Sequence, residues 1–190
     1  MLNNKNLNSF LDFGYFLDFK NEKYKIDFSN TDKNKYIKYS ETELIEEGAS
    51  KWELAINNQF NSSQQHVVPL SGGLDSRAIL AGMLKRSEAS KIITYTYGTP
   101  GTLDYEIGNE IAKKVGTNHY KLPLTEYIYD IDSLMDISKR VNHQTILFHH
   151  PPMNIIDREF KDCNTWSGAI IDVFFGRHHH IKKATNLKNA

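Results

Sequence analysis

A glycine-rich stretch flanked by hydroxyl and acidic side chains is the part of this sequence best suited to chemistry. Ser71-Gly72-Gly73-Leu74-Asp75-Ser76 follows the apolar run 66–70 and precedes the helix-forming run 77–86. Adjacent glycines allow a tight turn and leave backbone N–H groups uncovered. The N-terminus of the following helix directs further N–H groups and a partial positive charge to the same place. With hydroxyl donors from Ser71 and Ser76, this pattern predicts a phosphate-binding loop.

Asp75 indicates which ion would accompany a phosphate at this loop. Its carboxylate would repel a phosphate unless a cation lay between them, and Mg²⁺ prefers one or two carboxylates together with phosphate oxygens. The stretch is neither the GxxxxGK(S/T) loop of P-loop NTPases nor the GxGxxG loop of dinucleotide-binding domains, so neither function is predicted. The alternative interpretation is a glycine-rich turn between a strand and a helix that binds nothing.

The elements around the loop alternate between strand and helix patterns. Ser40 and Glu43 form a capping-box pattern at the start of a long predicted helix. Strands are predicted over 66–70, 91–97, 119–122 and 165–175, and helices over 9–19, 42–60, 77–86, 104–115, 125–140 and 152–161. This alternation predicts an α/β fold with a Rossmann-like parallel sheet and helices on both faces.

The composition is that of an ordinary globular domain. Of the 190 residues, 39% are hydrophobic and 24% are charged, and the formal net charge is zero. No basic patch indicates nucleic acid, and no stretch approaches the ~18 to 20 apolar residues of a membrane span. Neither nucleic acid nor a membrane is therefore an expected partner, and the cytoplasm is the expected location. The single cysteine, Cys163, excludes an internal disulfide and a CxxC metal site.

Three stretches of the sequence resemble one enzyme family. The loop with its preceding leucine resembles the pyrophosphate loop of the N-type ATP pyrophosphatases, and within that superfamily it is most similar to the glutamine-hydrolysing asparagine synthases. The other two stretches are similar to that family's second strand with its following helix, and to its second signature. The three stretches are Leu70 to Ser76, Thr96 to Gly98 with Asp104 and residues 116–119, and Ser167 to Gly176 with Gly168 and Asp172.

The resemblance implies an adenine nucleotide α hydrolase-like fold and an ATP-dependent ligase. Such an enzyme transfers AMP to a small-molecule carboxylate with release of pyrophosphate, and an amine or ammonia then displaces AMP to form an amide. The loop would bind the pyrophosphate through Ser71, Gly72, Gly73, Leu74, Asp75 and Ser76. Leu70, Tyr97, Ser167 and Gly168 would lie near the AMP portion, and Asp75 and Asp172 would hold Mg²⁺ as the catalytic carboxylates. The chain then divides into an N-terminal packing segment (1–39), an ATP-binding domain (40–176) and a basic tail (177–190).

Several residues depart from the family pattern. Val173 replaces a usual glutamate, and Arg77 replaces a small hydroxyl residue, so Arg77 either contacts a phosphate or begins the helix on its solvent side. Residue 2 is leucine where the family's glutaminase needs cysteine, and the resemblance covers only the front half of the synthetase domain. A separate glutaminase or a chain supplying the C-terminal half is therefore a possible partner. The alternatives are a truncated or degenerate member that binds ATP or a partner chain without turnover, and a secondary-metabolism amidotransferase or peptide cyclase.

Three further residues each have two interpretations. Asp104 either caps its helix or contributes to the nucleotide site. His119 is either a core histidine at the start of a strand or a functional residue. His150, ahead of two prolines, is either a feature of a loop or part of the substrate site.

Overall fold

A parallel sheet of four strands forms the centre of the chain. In the computed structural model the described residues are Ser29, Asp32, 34–140 and 150–168. The strands are β1 (His66–Pro69), β2 (Ile92–Gly98), β3 (Asn118–Pro123) and β4 (Asn164–Thr165), and they lie in the order β3-β2-β1-β4 with every pairing parallel. The helices are α1 (Glu41–Gln59), α2 (Leu74–Leu84), α3 (Leu103–Val115), α4 (Ile131–Arg140) and α5 (Met153–Glu159), with a short 3₁₀ turn at Ala89–Lys91. The predicted α/β class is confirmed.

Capping residues set the ends of α1 and α3. At the start of α1, the backbone N–H of Glu43 donates to Ser40 Oγ at 3.3 Å, and that of Ser40 donates to Glu43 Oε2 at 2.7 Å. This reciprocal pair is the predicted capping box. α3 ends at Gly116, whose φ of +83° places it in the left-handed region that glycine adopts most easily.

Two helices begin more than one residue away from the predicted position. α2 begins at Leu74 rather than at residue 77, because Gly73 is the N-cap residue. The second half of the glycine-rich loop, residues 74–76, therefore forms the first helical turn. α4 begins at Ile131 rather than near residue 125. Asp130 precedes it, and its Oδ1 accepts from the backbone N–H of Ser133 at 2.7 Å, as an N-cap does.

Side chains alternate between two hydrophobic cores, one on each face of the sheet. One core joins α1, α2 and α3 to the sheet and contains Ile56, Val68, Leu70, Ile79, Leu80, Met83, Ile92, Ala112 and Trp166. The other joins α5 to the sheet and contains Val67, Ile93, Tyr95, Ile156 and Phe160. Because neighbouring strand residues point to opposite faces, Val67 and Val68 belong to different cores. Helices therefore cover both faces, as predicted.

The strand order creates a switch point beside β1. From β1 the chain proceeds outward through β2 to β3, and it later returns to place β4 on the other side of β1. In open α/β sheets, ligands bind outside the carboxyl ends of the strands at such a switch point. Pro69, which lacks a backbone N–H, is the last residue of β1 and lies opposite Tyr95, so it interrupts the ladder only where the strand is ending.

Some predictions concern residues outside the described ranges. These are the helix over 9–19, the later part of the strand over 165–175, most of the segment 1–39, the tail 177–190, and Asp172 with Val173. The proposed division at residues 39 and 176 therefore stays a prediction. In the described ranges, no helix has both the length and the apolar character needed to cross a membrane.

A network of polar side chains joins α3 to β2 and to the start of β3. Nδ1 of His119 forms a hydrogen bond with Thr94 Oγ1 at 2.8 Å, and Nε2 of His119 forms one with Asn109 Oδ1 at 2.9 Å. The amide nitrogen of Asn109 donates to the carbonyl oxygen of Tyr105 at 2.7 Å, so Asn109 Oδ1 must accept and His119 Nε2 must carry a proton. Thr94 also contacts Thr117 Oγ1 at 2.7 Å. His119 therefore has a structural role, because both of its ring nitrogens are bonded to side chains of β2 and α3.

We expect His119 to make the fold less stable at mildly acidic pH. Burial, together with the nearby Lys121, holds the pKa of His119 below its ordinary value of 6.5. As the pH falls below 6.5, the unfolded chain takes up a proton that the folded chain does not, so the free energy of unfolding decreases until the folded pKa is passed. Urea denaturation of the wild type and of His119→Gln at several pH values measures this. A wild-type advantage that is the same at pH 7.5 and pH 5 would contradict the expectation.

Candidate functional site

A cavity of about 1130 Å³ opens at the carboxyl ends of β1, β2 and β4. It lies at the switch point, and four segments of the chain form its walls. These are the residues after β1 (Pro69, Leu70, Ser71, Gly73, Asp75, Ser76), the end of β2 with the start of α3 (Tyr95, Tyr97, Gly98, Thr102, Leu103, Asp104, Tyr105), the pair His150 and Pro151, and the pair Ser167 and Gly168 after β4. Residues far apart in the sequence therefore share one concave surface.

The two serines of the glycine-rich loop close the loop on itself. Ser76 Oγ accepts from the backbone N–H of Ser71 at 3.2 Å and lies 3.2 Å from Ser71 Oγ. Ser71 Oγ in turn accepts from the backbone N–H of Gly73 at 3.1 Å. The sequence pattern predicts that both hydroxyls contact a ligand. In the structure they also accept from the N–H groups of Ser71 and Gly73 and so shape the loop, which leaves the N–H groups of the first turn of α2 for a ligand.

Gly72 is required for close contact between the loop and α3. Its backbone N–H donates to the carbonyl oxygen of Asp104 at 3.1 Å. A Cβ at position 72 would lie 3.0 Å from Asp104 Oδ1 and 3.2 Å from Asp104 Cα. Among the described glycines, positive φ angles occur at Gly98, Gly101 and Gly116 only, so Gly72 is needed for space rather than for an unusual backbone angle.

The junction between β1 and the loop is fixed by β2 and α3. The backbone N–H of Leu70 donates to the carbonyl oxygen of Tyr95 at 2.8 Å, which extends the ladder by one residue past β1. The carbonyl oxygen of Leu70 accepts from Thr96 Oγ1 at 2.6 Å. Gly108 of α3 packs against this pair, since a Cβ there would lie 2.7 Å from Thr96 Oγ1 and 2.8 Å from Leu70 O. The start of the loop is therefore held by both β2 and α3.

The N-terminus of α2 meets the cavity without a side-chain cap. Gly73 is the N-cap residue and makes no side-chain hydrogen bond to the first turn. The first N–H groups of a helix have no partner within the helix, so here they are available to an anion. Asp75, in that first turn, is half-buried and lines the cavity. This combination of N–H donors and one carboxylate is suited to a phosphate bound together with a cation.

Two tyrosines of β2, Tyr95 and Tyr97, form an aromatic part of the cavity wall. Tyr95 stacks on Phe160 with ring centres 5.6 Å apart, and Tyr97 lies 6.3 Å from Tyr95. Burial raises the pKa of both tyrosine hydroxyls, so both side chains are neutral at physiological pH. A neutral, partly apolar wall of this kind suits the uncharged part of a ligand whose charged part lies at the loop.

The structure brings together most of the predicted site residues. Leu70, Ser71, Gly73, Asp75, Ser76, Tyr97, Ser167 and Gly168 all line the cavity. Two others are placed differently: Gly72 packs against α3, and Leu74 is 75% exposed to solvent. Asp172 lies outside the described residues.

Several residues of the cavity wall were not predicted from the sequence, among them Tyr95, Thr102 and Leu103. Asp104 and His150, which each have two interpretations from the sequence, also line the cavity. Asp104 supports the loop through its backbone, while Tyr129 Oη donates to the carbonyl oxygen of His150 at 2.6 Å. The available signal was the turn after the second strand, because neighbouring parallel strands end at the same edge.

Comparisons with known proteins agree on one family. Residues 49–145, just over half of the chain, match the model of the family described as asparagine synthase. The chain is 30% identical over 151 residues to asparagine synthetase [glutamine-hydrolyzing] 3 of Arabidopsis thaliana, covering 72% of this chain and 26% of that protein. It is 28% identical over 151 residues to asparagine synthetase B [glutamine-hydrolyzing] of Escherichia coli (strain K12), covering 70% and 27%. The chain thus spans about a quarter of the length of the curated relatives it matches.

Proposed function

Because this chain belongs to the asparagine synthase family, we propose that it takes part in ATP-dependent amide formation. ATP binds in the cavity, a carboxylate attacks the α-phosphorus, and the bond to the β-phosphate bridging oxygen breaks to release pyrophosphate. An amine or ammonia then attacks the acyl carbon of the adenylate and AMP leaves. The observation that carries this proposal is the meeting of the loop 71–76 with Ser167 and Gly168 in one cavity at the switch point.

The residues of the cavity fit a nucleoside triphosphate. The backbone N–H groups at the start of α2, together with the serine hydroxyls, would hold the leaving pyrophosphate. Such donors stabilise developing charge best when they are fixed in advance, and the hydrogen bonds of Ser71 and Ser76 fix the loop that leads into α2. Leu70 and Tyr97 would contact the nucleoside portion.

One carboxylate of the cavity fits a magnesium ion. Asp75 is placed at the loop, where it would hold Mg²⁺ against the phosphate oxygens, with Asp172 as the second carboxylate that the resemblance implies. The ion, when bound, would neutralise charge on the phosphates. Asp75 itself would orient the ion. Without the ion, the carboxylate of Asp75 would repel the phosphates and weaken their binding.

An exchange assay tests this function. We expect the chain, with Mg²⁺, to exchange labelled pyrophosphate into ATP in the presence of one acid from a panel of carboxylic acids. Asp75→Asn should remove the exchange and lower the Mg²⁺-dependent affinity for ATP, measured by calorimetry, by about tenfold. Asp132→Asn is the matched control, since Asp132 also lies in the first turn of a helix but outside the cavity. An ATP affinity that Asp75→Asn leaves unchanged would refute the assignment of Asp75.

A second candidate function is nucleotide binding without turnover. It is favoured by Val173, which stands where the family resemblance implies a glutamate. In that case a separate glutaminase, or a chain supplying the C-terminal half of the synthetase domain, would be the functional partner. ATP binding without exchange would support this candidate. Exchange that depends on a carboxylate other than aspartate would instead support an amidotransferase of secondary metabolism or a peptide cyclase.

A further inference from the structure

The described walls of the cavity carry negative charge to which a bound triphosphate would add. Its described walls carry the carboxylates of Asp75 and Asp104, and no lysine or arginine belongs to these walls. Like charges brought together in a partly buried site repel more strongly than in water. One magnesium ion offsets only part of the charge of a triphosphate next to two carboxylates. A cationic side chain close to the loop would reduce this repulsion.

Arg77 is the cation that the fold places closest along the chain to the cavity wall. It follows Ser76 directly, and its Nε donates to the carbonyl oxygen of Gly73 at 3.1 Å. Gly73 lines the cavity, so this bond draws the guanidinium back toward the loop. Long side chains of a helix lean toward its N-terminus, which gives the same direction.

The outer part of this guanidinium remains available. Within the described residues, Nη1 and Nη2 of Arg77 make no hydrogen bond or ion pair, and the residue is exposed. Arg86, at the other end of α2, is different. Its Nη2 donates to Glu53 Oε2 at 2.6 Å, its Nε to Asn57 Oδ1 at 2.6 Å, and its Nη1 to the carbonyl oxygen of Gly82 at 2.6 Å. Arg86 fastens α1 to α2, whereas Arg77 has its two amino groups free to bind a ligand.

We infer that Arg77 binds the β- and γ-phosphates of the nucleotide and makes the site selective for a triphosphate or pyrophosphate over a monophosphate. The inference rests on the proposed function, because it assigns a residue to the same cavity. The planar guanidinium presents parallel N–H donors that match two phosphate oxygens. Its charge would neutralise part of the negative charge of the phosphates, in addition to the magnesium ion that Asp75 would hold. The AMP portion, bound on the Tyr97 side, does not depend on it.

Calorimetry with three ligands tests the assignment. ATP, pyrophosphate and AMP are titrated, each with Mg²⁺, into the wild type, Arg77→Gln and Arg77→Lys. We expect Arg77→Gln to weaken ATP and pyrophosphate by about tenfold and to leave AMP unchanged. Arg77→Lys should recover part of the loss, because it keeps the charge without the planar fork. Lys114→Gln, which removes one positive charge at the far end of α3, is the control and should bind all three ligands normally.

Each outcome decides between the claims. Equal binding of ATP by the wild type and Arg77→Gln overturns the role of Arg77 and leaves the proposed function standing. An equal loss for ATP, pyrophosphate and AMP also overturns it, because it shows a distorted loop rather than a lost phosphate contact. A wild type that binds none of the three refutes the proposed function and the role of Arg77 together.

Discussion

Replacing Gly72 with valine is expected to lower the affinity of the chain for Mg·ATP by about 100-fold, which corresponds to about 2.8 kcal/mol. A Cβ at this position already lies 3.2 Å from the backbone Cα of Asp104, and the γ-methyl groups of valine extend further. Because the obstacle is backbone, no rotamer change relieves it, and the loop must move away from α3. The hydrogen bond from Gly72 N–H to Asp104 O is then lost. Calorimetry measures the affinity, and Gly72→Ala should give an intermediate value.

Gly48→Ala is the matched control for this variant. Gly48 lies in α1, and a Cβ there meets nothing within 4 Å. The control should bind Mg·ATP as the wild type does. Wild-type affinity in Gly72→Val would show that the close approach of Asp104 does not govern the loop.

The second large effect is expected at Gly108. Alanine normally stabilises a helix relative to glycine by about 0.5–1 kcal/mol. At Gly108 the added Cβ would lie 2.7 Å from Thr96 Oγ1 and 2.8 Å from the carbonyl oxygen of Leu70. Forcing an atom into such a contact costs about 1–3 kcal/mol or more. We therefore expect Gly108→Ala to lower the free energy of unfolding by about 2 kcal/mol, measured by urea denaturation.

The same chemical change should have the opposite sign at Gly48. Gly48→Ala adds the same methyl group to a helix in open space, so it should raise the free energy of unfolding. The comparison separates helix propensity from packing, because propensity alone predicts the same sign at both positions. Stabilisation by both substitutions would mean that α3 can shift away from β2 at little cost.

The fold was largely predictable because its signals are local. The capping box at Ser40 and Glu43, the β-branched run of β2 and the glycine after α3 each specify their element with little help from the rest of the chain. The alternation of these elements then requires a parallel sheet. The family match confirms the predicted family membership.

The site was only partly predictable because its construction depends on contacts between distant segments. Nothing in the sequence near Gly72 shows that Asp104 will lie against it, or that Gly108 must be small to admit Leu70 and Thr96. The motif also gave no indication that Leu74 would be turned to solvent. A motif identifies which residues act together, whereas their individual tasks follow from the packing around them.

The position of β4 has a consequence for folding during synthesis, because β4 is the last of the four strands to be made. β1, β2 and β3 can pair as soon as residues 66–123 have emerged, but β4 pairs with β1 only after residue 164 has been made. Until then the side of β1 that β4 later covers has no strand partner, and the unpaired backbone groups of such an edge favour association with other chains. Closing this edge unites segments about 100 residues apart, since Trp166 Nε1 donates to His66 Nδ1 at 3.0 Å. The late strand therefore pairs with His66 and Val67 at this edge, and Ser167 and Gly168, which follow it, complete the described cavity wall.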